Sequence, residues 1–554
     1  MQWTSRCHTN FSIINVYRLT IMTPVTPTDT GSSTVYDEVP YPSYCYQASS
    51  PAKLATVGTL FGVDAAPVEN ARILELGCAA GGNIIPLAYL WPEATLAGID
   101  LSTRQIHDGQ QVIRDLGLGN ITLTATSIED FLKEDHSPFD YIIAHGVYSW
   151  VDADVQDAIF AVCSRFLAKN GLAYISYNTL PGWNTIQTIR DMMLYHNRPF
   201  TEPGDKVREA RSMLRFVAEN VRGETSPYKQ ILEAEIATLS KADDPYLLHD
   251  HLATTNTPCY FHEFMEKAEA HALAYVGDAE LESMYVGSLK EEAAMKLGEI
   301  TDIIRQEQYM DFLNNRRFRS TILCRQAVTL GRALQPQALQ AMNLYTGFAP
   351  GPEQKHRFTT APAEVRMQHR KNASQQVSIK GKGACAIMLT LAAEKGHPVS
   401  CATLMERVHL RFPEITPEQL EAGLSVALHL VFTGVLHLLR EAPVYARVLP
   451  EKPRVFPVAA YTARTSAVVP TLRHEALRLL GDQRKIIQYA DGSRTIDAIT
   501  ACIRQEVANG TLALRENGKR INDSPDLQIK IRDYVRHTLA TLLENELICE
   551  ENSP

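Results

Sequence analysis

The run ILELGCAAGGNIIPLAYL, from Ile73 to Leu90, constrains the chain more than any other stretch. A short apolar strand leads into a turn of small residues, and helical spacing follows at once, which is the first βα unit of a Rossmann-like parallel sheet. Gly77 and Gly81 let the backbone pass close to a ligand, because no Cβ stands in the way. The amides that open the next helix are free to donate, so the loop is shaped to cradle a small polar ligand.

The neighbouring segments extend this reading. Glu75 stands just before the turn, and Asp100 ends the next strand in TLAGIDLS, where an acid accepts hydrogen bonds from ribose hydroxyls in such sheets. Ser102 opens STRQ, a capping box with Gln105 that starts a helix directly after the acid. A third strand, ITLTATS, leads to Ser127, Ile128 and Glu129; a fourth reads PFDYIIAHG, and a fifth, GLAYISYNT, follows an amphipathic helix. Strands alternating with helices make an α/β parallel sheet. A dinucleotide-binding dehydrogenase is the competing reading, but its loop carries a further glycine where helix packs on strand, whereas here paired glycines precede Asn83.

Together, ILELGCAAGGN, GIDLS and FDYIIAHGV resemble the successive motifs of class I S-adenosylmethionine methyltransferases. The resemblance implies S-adenosylmethionine as cofactor. It places Glu75, Gly77, Cys78, Gly81 and Asn83 around the methionine part, Asp100 at the ribose, Leu101 and Ile128 with Glu129 at the adenine, and His145 and Gly146 at the sulfonium. VYDEVPYPSYCYQ, SYNTLPGW, YFHEFMEKAEAH and FLNNRRFRSTILC look like the bacterial methyltransferases that carry a methyltransferase regulatory domain, over residues 35–325. That group includes protein-lysine methyltransferases acting on outer-membrane proteins, so a protein lysine is the implied acceptor. Methylation of a small molecule or natural product is the second enzymatic reading, and a noncatalytic S-adenosylmethionine-binding adaptor is the reading from another class.

Methyl transfer asks an enzyme chiefly for alignment and exclusion of water. Tyr148 and Trp150 follow strand four, Tyr177 and Trp183 accompany the end of strand five, and with His145 they are the candidate catalytic residues at the carboxyl edge of the sheet. Aromatic faces hold an alkylammonium well; the bland alternative for each is a core or capping role, and for His145 contact with cofactor without proton transfer. Tyr44 and Gln47 are expected to close the site as a lid. Asp250, His251, His262 and Glu263 lack the spacing of a metal motif, so no metal is expected, and Arg316, Arg317 and Arg319 read as a solvated strand end.

The 554 residues carry a formal net charge of -9, which argues against general nucleic-acid binding. There is no apolar run of the roughly 20 residues a bilayer span needs, so no membrane insertion is expected. Ten scattered cysteines form no metal or disulfide pattern, and the cytoplasm is the expected compartment. The expected organisation is a disordered stretch over 1–34, with Met22 as an alternative start, and a cofactor-binding core with its lid over 35–184. A helical regulatory insertion follows over 185–258, and the sheet is completed over 259–326, with RFRSTILCR as an edge strand. A linker over 327–376 leads to mainly helical, winged-helix-like modules over 377–455 and 456–554, in which PVYARV reads as a strand and HEALRLLG as helix. These modules show no dense basic recognition helix and are expected to bind the protein substrate or to form a homodimer.

Overall fold

The computed structural model describes residues 43–223, 226–240, 244–351, 358–513, 515–516, 519–520 and 526–550. The expectations for residues 1–34, for the start at Met22 and for the first part of the lid lie outside them. Seven strands form the central sheet: β1 (Arg72–Leu76), β2 (Thr95–Asp100), β3 (Ile121–Ala125), β4 (Phe139–Ala144), β5 (Leu167–Asn178), β6 (Leu273–Asp278) and β7 (Phe318–Arg325). Their order is β3-β2-β1-β4-β5-β7-β6, with β1 to β5 parallel and β7 antiparallel to both its neighbours.

Side chains on β1 alternate between two cores, as the pleat requires. Ile73 joins Leu54, Ile84 and Leu87 from the helices Pro51–Leu60 and Ile84–Leu90 on one face. Leu74 and Leu76 join Ile159, Phe160, Phe261 and Phe264 from Ala153–Phe166 and Phe261–Ala270 on the other. Both faces are therefore covered, and the strand order reverses beside β1, which opens a crevice at its carboxyl end and that of β4. Ser102 caps the helix Thr103–Leu116 by accepting from the Gln105 amide at 3.2 Å, which fixes the chain direction directly after Asp100. Beyond β5, the helices Trp183–His196, Pro203–Asn220 and Pro227–Leu239 build a small core of their own around Met193, Leu214 and Leu232.

Two expectations about RFRSTILCR are corrected together. β7 lies inside the sheet, with Tyr174 of β5 opposite Ile322 and Tyr275 of β6 opposite Leu323, so β6 forms the edge. In consequence Arg319 is only 1% exposed. Its Nη2 donates to Glu307 Oε2 at 2.9 Å and Asp311 Oδ1 at 2.8 Å, and its guanidinium lies 3.9 Å from the Phe261 ring centroid. Arg316 pairs with Asp311 at 2.9 Å, and only Arg317, bound to Glu235 of the inserted helices at 2.5 Å, keeps a half-exposed side chain. Burial pushes the Glu307 and Asp278 carboxyls above their ordinary range, against the pull of Arg316 and Arg319. Alternation in the sequence shows one polar row, but not the helix Ile303–Asn314 that covers it.

The described residues of 327–376 are structured rather than a linker. They supply the strands Asn343–Tyr345, Phe348–Pro350 and Glu364–His369, which pair with strands further along the chain. Pro443–Val448 forms no strand, and within HEALRLLG the residues Ala476–Arg478 pair antiparallel with Val468–Pro470, so helix begins only at Gly481. Hairpin pairing overrides helical propensity in so short a segment. One hydrophobic core runs from Ile73 through Leu344 and Ile387 to Ile548, so the C-terminal half is packed onto the central sheet.

Arg319→Leu leaves the buried Glu307 without its paired cation and Asp311 with Arg316 alone, and loss of one partner of such a network costs about 3–5 kcal/mol. A large fall in the urea midpoint of unfolding is the expected outcome.

Candidate cofactor and acceptor site

The glycine loop is tied to β2 from above. Gly77 and Cys78 both donate to the Ile99 carbonyl, at 2.8 and 2.9 Å. Gly77 (φ +70°) and Gly81 (φ +78°) occupy the left-handed region, and a Cβ on Gly77 would come within 2.5 Å of Val147 Cγ2. Cys78 is buried, and burial holds its thiol well above the usual range, so it acts as packing rather than as a thiolate.

Glu75, at the end of β1, is buried to 3% exposure. Its Oε1 accepts from Asn83 Nδ2 at 2.7 Å, while Oε2 meets no partner among the described residues. Burial, reinforced by nearby Asp100 and opposed by the Asn83 hydrogen bond, pushes the carboxyl up to about 8. The Asn83 Oδ1 accepts from the Tyr46 amide at 2.9 Å, which settles the orientation of this side-chain amide. Asp100 is aimed at the same loop: Oδ2 accepts from the Ala79 amide at 2.8 Å and Oδ1 from the Ser102 amide at 2.9 Å. Beside it Leu101 is 65% exposed, Ile128 is buried and Glu129 is partly exposed, an apolar ledge with an acid at its rim.

His145 follows β4. Its ring stacks on Tyr46 at 3.7 Å between centroids, and Nδ1 lies 3.0 Å from the Tyr174 hydroxyl. Burial drives its pKa down to about 3, so the imidazole is neutral at physiological pH. Gly146 (φ +67°) donates to Ser176 Oγ at 2.8 Å and faces open space. Phe318, exposed at the start of β7, stands 6.3 Å from the His145 ring.

Of the other candidates, Tyr148 and Tyr177 are corrected: both are enclosed in the core with Phe160 and Phe264, the Tyr177 and Phe264 rings stacking at 4.1 Å. Their rings complete the apolar face of the sheet instead of reaching its mouth. Trp150 and Trp183 do meet, edge to face at 6.4 Å, with Arg190 over Trp150 at 5.5 Å. The Trp183 Nε1 and the Asn178 Nδ2 are buried beside them without a partner among the described residues. Gln47 donates to Glu475 at 2.8 Å, far along the chain, and Tyr44 lies half-buried in the same arm. Glu263 accepts from the Tyr260 amide at 2.9 Å, and the His262 ring meets Gln308 at 3.0 Å, so these two serve helix ends. Sequence reasoning missed Tyr46, whose only signal was the aromatic arm YPSYCYQ, and His474, whose Nε2 lies 2.8 Å from Asn83 Oδ1.

A buried carboxylate oxygen without a partner, two glycines that admit a ligand's backbone approach, an acid at the end of β2 and an exposed apolar ledge fit the amine, ribose and adenine of one molecule. The fold and this site define a class I S-adenosylmethionine-dependent methyltransferase. Residues 67–235 match the family described as methyltransferase domain, residues 243–325 the predicted methyltransferase regulatory domain, and residues 451–547 the PKMT C-terminal winged helix domain. The regulatory match thus contains β6 and β7 rather than the helices of 185–240. PKMT2 of Rickettsia typhi, solved in complex with AdoHcy, is similar with 32% identity and a TM-score of 0.84, over 92% of this chain and 100% of that one. The Rickettsia prowazekii protein RP789 is 37% identical over 517 residues, 93% of each chain, and RP028 of the same organism is 44% identical over 42% of this chain and 93% of its own. The chain belongs to the PKMT family of methyltransferases.

With the Glu75 carboxyl held up at about 8, an ammonium group of a ligand seated against its open oxygen would draw it to the ionised form. Calorimetry of S-adenosylhomocysteine in buffers of different ionisation enthalpy should show close to one proton released near pH 7, an affinity that rises toward pH 8, and no such release in Glu75→Gln. Asp100→Ala should bind at least about tenfold more weakly in the same assay, since hydrogen bonds to a charged group contribute about 1.5–3 kcal/mol each.

Proposed function

We propose that the acceptor is the side-chain amine of lysine residues in a protein, on a site formed as assigned above by Glu75, Gly77, Cys78, Gly81, Asn83, Asp100, Leu101, Ile128, Glu129, His145 and Gly146, with Trp150 and Trp183 on the acceptor side. The observation that carries this reading is the aromatic pair Tyr46 and Phe318 beside a neutral His145, with Trp150 and Trp183 meeting just beyond the carboxyl ends of β4 and β5. The similarity to PKMT2 of Rickettsia typhi, together with the resemblance of the sequence motifs to protein-lysine methyltransferases, supports it.

S-adenosylmethionine, when bound, supplies a methyl group made electrophilic by its sulfonium. The chain has to present a nucleophile with a free lone pair. A lysine amine has an ordinary pKa of about 10.4 and loses its proton more readily when desolvated. Indole faces hold an alkylammonium for about 0.5–2 kcal/mol and shed water from it. His145 does not serve as the base, because its ring is already too weakly basic to hold a proton at neutral pH. It lines the site and keeps the Tyr46 ring in place.

The proposed compartment is the cytoplasm; nine free cysteines among the described residues, eight of them buried, suit a reducing environment. Among the described residues no helix is long and apolar enough to cross a membrane.

Transfer of a labelled methyl group to a lysine-rich protein, with peptide mass mapping, tests the acceptor. Methylated lysines in the native protein and none after its amines are acetylated are expected; label on small-molecule acceptors only would favour the second reading. His145→Phe keeps a ring for Tyr46 to stack on, and its kcat should stay far above the ~10²–10⁴-fold loss that removal of a general base brings.

A further inference from the structure

The hairpin formed by Val468–Pro470 and Ala476–Arg478 belongs to the C-terminal winged-helix region, yet its loop ends at the cofactor loop. His474 sits at the tip with φ +61° and 1% exposure. The loop is held on several sides. The Thr471 amide donates to the Glu475 carbonyl at 2.8 Å, the Leu472 amide to the Glu546 carbonyl at 3.0 Å, and Arg473 Nη2 to the Gly396 carbonyl at 2.7 Å. Arg473 also pairs with the Glu546 carboxylate at 2.8 Å, and Glu475 accepts from Gln47.

Donor and acceptor roles follow without ambiguity. The Tyr46 amide can only donate, so the atom it meets on Asn83 is the carbonyl oxygen, and the His474 Nε2 that approaches the same oxygen must carry the proton. The other face of the Asn83 amide donates to Glu75 Oε1. Burial holds the His474 ring neutral, with its pKa near 3, and its Nδ1 has no partner among the described residues. A chain of directed hydrogen bonds thus runs from His474 through Asn83 to Glu75.

We infer that His474 is a positioning residue for the cofactor: the winged-helix hairpin completes the cofactor site by locking the Asn83 amide, and through it the Glu75 carboxylate. This rests on the assignment of Glu75 and Asn83 to the methionine end of S-adenosylmethionine. The C-terminal region is then a working part of the catalytic unit. Without the His474 donor, Asn83 keeps the Tyr46 amide, Ser49 and Glu75 as partners, but its carbonyl oxygen loses a buried donor and the amide is held less firmly against Glu75.

The test uses the full chain with His474→Ala, His474→Leu and His474→Gln, the last of which can still donate. Three quantities are measured: S-adenosylhomocysteine affinity by calorimetry, the melting temperature of the ligand-free protein, and KM for S-adenosylmethionine against kcat. Loss of one hydrogen bond should weaken binding and raise KM by about fivefold to tenfold, with kcat little changed. His474→Gln should recover most of the affinity, and His474→Leu serves where His474→Ala folds poorly. Affinity unchanged in both the Ala and Leu variants overturns the inference, as does an equal loss in all three, which marks mere packing. Glu75→Gln separates this from the underlying assignment: normal binding there overturns the site itself, whereas impaired binding there with normal binding in His474→Leu removes only the role of His474.

Discussion

Glu75 stands near the carboxyl end of β1 where water hardly reaches, and an ionisable group kept there has to be stabilised by something. Asn83 satisfies one oxygen, and the second is left for a ligand. Much of the molecule is arranged around this pair. The arm through Tyr46 closes on Asn83 from the amino-terminal side, Asp100 reaches the Ala79 amide from the neighbouring strand, and the winged-helix hairpin arrives from the far end of the chain. The catalytic sheet supplies the acid; the other segments decide which way it points.

The cofactor half of the site was legible because its chemistry is local. A strand, a glycine turn, an acid and a capped helix follow one another within thirty residues, so these elements can be placed by counting along known periodicities. The family resemblance supplied the expected roles, from Glu75 and Asn83 at the methionine part to Leu101 and Ile128 at the adenine, which spacing alone does not mark. The completion of the sheet by β6 and β7 was also readable, although their order was not. Strand order depends on which hydrophobic rows meet across space, and Arg319 shows the effect: a residue that reads as solvated at an edge becomes the buried centre of a charge network once another strand lies outside it.

The acceptor side and the C-terminal half were harder for the same reason. Tyr148 and Tyr177 flank the right strand ends, but whether an aromatic there turns toward the mouth or the core is set by Phe160 and Phe264, which lie on other helices. Segments such as Ala476–Arg478 are too short for propensity to outweigh pairing with Val468–Pro470. His474 had no signal at all, since nothing near it in the chain announces a partner on the first glycine loop.

The bond between His474 and Asn83 joins residues 391 positions apart. Synthesis runs from the amino terminus, so the strands and the glycine loop leave the ribosome long before the hairpin that locks them. A nascent chain can therefore assemble the sheet and seat the Tyr46 amide on Asn83 well before the His474 ring, made hundreds of residues later, arrives at the same oxygen.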